Sequence, residues 1–208
     1  MEPNLELLRE EQTRLAKRIL RSDGFNRLET VAGLDIAYTG AKIICSIVVC
    51  DYQTMRVRES KQLTGSTDFP HIHGFLSYRE GPISVETYHN LELDPDVIFV
   101  DGDGILHPRF LGLASHLGLL LDKPTIGIAK ELRYGEVKDD TIYINKEAVG
   151  KILATKEKAR PIFVSPGHKM SLSSALEIAK ACLRDHKLPE PLHLAHKFAT
   201  KVRNRIKH

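Results

Sequence analysis

At 208 residues, 42% hydrophobic and 27% charged, the chain falls in the ordinary globular range and is long enough to bury roughly 70–75% of its unfolded surface as one domain. No run of about 18 apolar residues occurs, which excludes a membrane-spanning helix, and the polar start MEPNLELLREE offers no apolar signal-peptide core, so a cytoplasmic location is expected. A formal net charge of +3 is compatible with a nucleic-acid partner without requiring one, while three cysteines (Cys45, Cys50, Cys182) fit buried reduced thiols better than a disulfide framework. Residues 4–21 carry Leu5, Leu8, Leu15 and Ile19 at helical spacing behind Pro3. TVAGLDIAY and KIICSIVVCDY read as strands about a turn at Thr39-Gly40, and a third strand through 54–62 completes an antiparallel meander. Residues 75–92 read as a helix interrupted near Gly81-Pro82. A strand ending at Asp101 follows, then a helix over 109–121, the strand PTIGIAK, a polar hairpin region over 133–160, and the strand and turn PIFVSPGHK. Ser174 and Glu177 have capping-box spacing, which starts the next helix at Ser173 or Ser174; a last helix follows LPEP. A meander followed by alternating strands and helices predicts a mixed sheet covered by helices.

The densest chemistry lies in DVIFVDGDGILHP, residues 96–108. Ile98, Phe99 and Val100 form a run typical of a strand buried on both faces, and Asp101 stands where it stops. A carboxylate at the end of a buried strand is costly unless a cation or several donors meet it, and the glycines after it admit a close approach. Asp35 is the second unusual acid, set between Leu34 and Ile36 in a strand, where aspartate is depleted. Glu80, before the Gly81-Pro82 break, is the third candidate, although alone it reads as a surface glutamate. Three carboxylates converging from separate elements suit Mg²⁺, with Mn²⁺ as a substitute. Lys130 and His168 also stand at strand ends, where a lysine can neutralise a phosphate and a histidine can shuttle a proton; a solvated strand terminus is the plain alternative for each.

Competing motifs fail on detail. The Gly102-x-Gly104 pair lacks the third glycine of a dinucleotide loop, having His107 and Pro108 there, and Asp101 and Asp103 would repel a pyrophosphate. A calcium loop would need oxygen ligands where Ile105 and Gly112 stand. His71-x-His73 has no cysteine near it in sequence, which weakens a zinc reading.

The segments VAGLDIAY, FLSYREGP, PDVIFVDGDGILHPRFLGLASHLGLLLDKPTIGIAK and SPGHKMSL, with LPEPLHLAH near the C-terminus, resemble the endonuclease V (deoxyinosine 3′-endonuclease) family over nearly the whole chain. The resemblance implies a single catalytic domain over 1–208 with a ribonuclease H-like α/β fold, a mixed five-stranded sheet flanked by helices. It implies that Asp35, Glu80 and Asp101 bind metal and that Lys130 and His168 complete the catalytic set. Gly74, Leu76, Gly102, His107 and Leu113 match positions lining a pocket for a flipped base, with Gly104 and the wedge residues His71, Ile72 and His73 beside them. The implied activity is a cut at the second phosphodiester bond 3′ of deoxyinosine, leaving 3′-hydroxyl and 5′-phosphate ends. The expected enzyme is a monomer acting on DNA that carries deaminated bases. An inosine-specific endoribonuclease, a non-catalytic nucleic-acid-binding protein and a small-molecule phosphatase are the rivals.

Two departures from the family pattern stand out. Pro70-His71-Ile72-His73 occupies the place of the usual Pro-Tyr-Ile-Pro wedge, which predicts greater dependence on already unpaired substrate. Asp103 stands where the family often has an amide, either as a turn residue or as added charge beside the metal. Arg79, Arg109, Lys169 and the acid-free tail from Lys197 through Lys207 offer cations to phosphates.

Overall fold

The computed structural model describes residues 3–157 and 159–207, with the side chain of Lys207 outside the described set. In chain order the elements are α1 (Leu5–Ala16), β1 (Thr30–Thr39), β2 (Lys42–Asp51), β3 (Val57–Ser66), α2 (Leu76–His89), β4 (Val97–Asp101) and α3 (Leu113–Leu121). Then come β5 (Thr125–Ala129), β6 (Glu136–Lys138), β7 (Thr141–Ile144), β8 (Glu147–Leu153), β9 (Ile162–Pro166), α4 (Leu172–Ala181) and α5 (Glu190–Lys207). All nine strands form one sheet in the order β3-β2-β1-β4-β5-β9-β8-β7-β6. The expected five-stranded sheet is therefore corrected to nine strands. Its first five are the meander plus the parallel strands β4 and β5, and β9 extends them antiparallel to β5. The polar region after 133 forms the expected hairpins, β6-β7 and β7-β8, and these join the main sheet. β8 pairs with β9 and buries Val149 and Leu153, so its backbone completes a ladder that its mixed side chains conceal.

Alternation along the buried strands sorts the core into two layers. Val97 and Phe99 pack with Ala175, Ile178 and Ala179 of α4 and with Leu192 and Ala195 of α5. Ile98 and Val100 pack on the other face, with Ile83 of α2 and Leu113, Ala114 and Leu117 of α3. Each such fully buried side chain stabilises the fold by roughly 1.5–3 kcal/mol.

Four boundaries differ from expectation. Pro82 lies inside α2 without interrupting it, and the Ser84 and Thr87 hydroxyls donate to the Glu80 and Ile83 carbonyls one turn back. β3 runs to Ser66 instead of ending near 62, carried on by its ladder to β2. α3 begins at Leu113, because the preceding chain folds into a turn in which the Gly112 amide donates to the Gly104 carbonyl. The cap of α4 is Ser171, whose hydroxyl accepts from the Ser174 amide at 3.2 Å. Asp23, distant in sequence, takes the Ser171 amide and the Ser174 hydroxyl, a partner that local spacing could not supply.

Candidate active site

Strand register builds the centre of the site. β1 and β4 are parallel, and the pair Leu34↔Val100 means that the next step along each strand brings Asp35 level with Asp101. Both share the parity of Gly33 and Phe99 and so project toward α5. Gly33 lets α5 come close, since a Cβ there would lie 2.2 Å from the Pro191 carbonyl. One turn further along α5, His196 Nδ1 meets Asp35 Oδ2 at 3.0 Å. One ligand atom from each of Asp35, Asp101 and His196 lies within 4.8 Å of the others. Lys130, just past β5, donates to Asp101 Oδ2.

The charges explain one another. Burial pushes Asp101 upward, the adjacent Asp35 carboxyl adds to that, and Lys130 opposes it. Burial works against ionising Asp35 as well, but hydrogen bonds from His196 and Asp101 outweigh it and hold Asp35 below the usual range. The two carboxylates are thus driven apart, Asp35 down and Asp101 up, with the Lys130 ammonium offsetting part of their mutual repulsion. His196 is raised, chiefly by its hydrogen bond to Asp35. A buried and a half-buried carboxylate with an exposed imidazole form a donor set that fits a hard divalent cation.

A cavity of about 320 Å³ opens beside this cluster, lined by Asp35, Glu80, Asp101 and Lys130 together with His71, Gly74, Leu76, Gly102, Asp103, His107 and Leu113. Glu80 reaches it from α2, on the opposite face of the sheet, and so stands outside the three-residue ligand cluster. Its Oε1 accepts from the Tyr38 hydroxyl at 2.6 Å, and Arg79 lies over the Tyr38 ring at 4.8 Å. Burial pushes Glu80 up to about 7, against the Tyr38 hydrogen bond, with the charge of Asp35 adding to it. The Gly74 carbonyl, at φ +79°, accepts from Gln12 Nε2 at 2.9 Å, Arg109 at 3.0 Å and His107 Nε2 at 3.1 Å. His107 Nδ1 accepts from the Arg109 amide, so its proton sits on Nε2, and burial lowers the ring to about 4.

Several expected site residues lie elsewhere. His168 does not join the cluster: β9 runs antiparallel to β5, so its end lies beside Thr125, at the opposite end of the sheet from Lys130. There His168 Nδ1 accepts from the Leu20 amide, a structural tie. Gly104 does not face the cavity, because it packs on β9, where a Cβ would lie 2.1 Å from the Pro166 carbonyl. Ile72 and His73 are absent from the cavity wall, although His73 stands edge-on to His71 at 5.3 Å. Asp103 lies in the cavity wall, its carbonyl accepts from the Ala114 amide at 3.0 Å, and burial pushes its carboxyl up to about 6. Sequence reasoning missed His196, Tyr38 and Gln12. For His196 the signal was a polar ring inside LPEPLHLAH, a segment matched as a whole without assigning its histidines.

Fold and site define a nuclease of the ribonuclease H-like class. The sequence profile of endonuclease V matches residues 13–197. An endonuclease V of Dictyoglomus thermophilum is 41% identical over 201 residues, covering 93% of this chain and 88% of the relative. The crystal structure of the Bacillus subtilis endonuclease V superposes with a TM-score of 0.90 at 32% identity, covering 100% of this chain and 94% of that one. A Ciona intestinalis endonuclease V, solved with a 24mer DNA containing an inosine followed by a ribo-adenosine, gives a TM-score of 0.86 at 28% identity, covering 97% and 98%. The chain belongs to the endonuclease V family.

Proposed function

We propose that this chain is a divalent-metal-dependent endonuclease that recognises deoxyinosine in DNA and cuts the second phosphodiester bond 3′ of it, leaving 3′-hydroxyl and 5′-phosphate ends. The observation that carries the reading is the meeting of Asp35, Asp101 and His196 within 4.8 Å at the side of a cavity. These three residues would hold Mg²⁺, or Mn²⁺ in its place, and the bound ion supplies Lewis-acid activation of water and balances charge on the departing oxygen. Lys130 beside Asp101 contributes a fixed positive charge within reach of a phosphate oxygen. Glu80, poised near neutrality, is suited to take a proton during the cut.

Recognition falls to the cavity. Hypoxanthine pairs imperfectly, so extruding it from a duplex costs less than extruding a normal base. Gly74 and Gly102 line the cavity beside Leu76, His107 and Leu113, and a Cβ at either would press on a neighbour, Arg109 at 3.1 Å or Leu113 at 3.2 Å. His107, held neutral by burial, adds no charge of its own to the wall.

Inosine-containing RNA is the second reading, favoured by the ribo-adenosine in the Ciona complex. A panel of labelled DNA and RNA strands, with and without inosine, in Mg²⁺, Mn²⁺ or chelator decides between them. Inosine-specific DNA cleavage that disappears in chelator is the expected result. Cleavage restricted to RNA moves the function to the second reading, and metal-independent or inosine-blind cleavage overturns both.

A further inference from the structure

α5 continues well beyond His196, and its two sides are unlike. Its apolar side, with Ala199, Val202 and Ile206, is already buried against Ala37 and Ile44 of β1 and β2. On the outer side Lys197, Lys201 and Arg205 are exposed at i, i+4 and i+8, which places them in one row along the helix. That row spans about 12 Å, the axial reach of about three to four phosphates of one strand at 3.4 Å each. No acidic residue follows Glu190, and among the described residues Lys197, Lys201, Arg203 and Arg205 have no ion-pair partner.

The adjacent row starts in the active site. His196, which meets Asp35, is followed at i+4 and i+7 by Thr200 and Arg203 in one row along the helix. Arg203 Nε is buried without a hydrogen-bond partner, a donor held in place and unspent. The helix runs alongside β1, from Gly33 past Asp35 to Ala37, so its cationic half extends outward from the carboxylates. With its apolar side already covered, this helix cannot insert into a lipid surface. A linear polyanion fits instead.

We propose that Lys197, Lys201 and Arg205, with Arg203 two turns beyond His196 on the same helix, form a track for the phosphodiester backbone of the DNA strand being cut. The assignment of DNA as occupant rests on the function proposed above. Each phosphate neutralised releases counterions, so the track has a signature in the salt dependence of binding.

The experiment measures fluorescence anisotropy of a labelled inosine-containing DNA in chelator, over a range of salt concentrations, for wild type, Lys197→Gln/Lys201→Gln/Arg205→Gln and Arg203→Gln. All three residues of the triple variant are exposed, and thermal melting checks that each variant is folded. The triple variant should flatten the log K against log salt slope by about 2–3, and Arg203→Gln by about 0.7–0.9. Parallel slopes in folded variants overturn the proposal. So does loss of binding to phosphatidylserine vesicles in the triple variant with the DNA slope intact. Failure of the underlying reading shows separately, as wild type that does not cut inosine DNA in Mg²⁺, and it removes the DNA assignment with it.

Discussion

Gln12 and Arg109 lie 97 residues apart in sequence, yet Arg109 Nε donates to Gln12 Oε1 at 2.6 Å while both side chains donate to the Gly74 carbonyl. Gln12 is the fully buried residue of a partly exposed α1, with no exposed surface of its own. It therefore fastens the N-terminal helix to the Gly74 edge of the cavity, and Arg109 is further held over the Phe75 ring at 4.8 Å.

Gln12→Ala removes two of these hydrogen bonds and leaves Arg109 without its amide partner. The expected cost is about 1–3 kcal/mol of stability, read from urea unfolding. Because the Gly74 carbonyl still has two donors, the cavity should loosen without collapsing, so KM for an inosine substrate rises several-fold with kcat little changed. Wild-type stability and KM in this variant would show that α1 is mere decoration.

Asp101→Asn replaces the acid beside Asp35 by a neutral isostere. In chelator the change relieves the repulsion between the two carboxyls but also removes the acceptor of the Lys130 ammonium, opposing effects that should leave the melting temperature close to that of wild type. Cleavage should fall by at least about a hundredfold, since one hard oxygen ligand and its charge are gone. Addition of Mg²⁺ should raise the melting temperature of wild type and leave that of the variant nearly unchanged. A variant that still cuts at the wild-type rate would contradict the role given to Asp101.

Much of the site was legible because it breaks local rules. Asp35 and Asp101 interrupt apolar strands, and Lys130 ends one, so each stands out without knowledge of the fold. His196 breaks no rule, since a histidine on an amphipathic helix reads as solvated until β1 is placed beside it, 161 residues away. His168 was misplaced for a related reason. A polar residue at a strand end can be assigned to one edge of the sheet only when the strand's direction is known, and β9 runs the other way. β6, β7 and β8 are legible as a polar hairpin region, but their place in the main sheet depends on the ladder from β8 to β9.

The pH dependence of stability in chelator should carry opposite contributions from two buried groups. Glu80 has an ordinary value of 4.5 and a folded value of about 7, so between these the folded chain holds a proton that the unfolded chain has lost. That contribution is full below about 4.5 and is lost as pH rises through 7. His107 goes from an ordinary 6.5 to about 4 on folding, so between these the unfolded chain binds the extra proton and stability rises with pH. Glu80→Gln should remove the falling component, and His107→Gln the rising one, each by one to a few kcal/mol across its window. Urea midpoints measured from pH 4 to 8 check both signs; unchanged profiles would refute the buried states assigned to them.

The wedge gives the sharpest test of substrate form. His71 lies in the cavity wall with His73 edge-on at 5.3 Å, where the family pattern has a tyrosine in place of His71 and a proline in place of His73. An imidazole offers less stacking area than a phenol ring, so it holds separated strands apart less well. Burial and the neighbouring charges of His73, Arg79 and Arg133 lower His71, which leaves it neutral and without a cationic hold on phosphate near pH 7. His71→Tyr should therefore raise the rate on duplex inosine DNA several-fold relative to the single strand, chiefly by easing strand opening. The measurement is the ratio of single-turnover rates on the two substrates for wild type and variant. If that ratio does not move, the ring at position 71 takes no part in parting the strands.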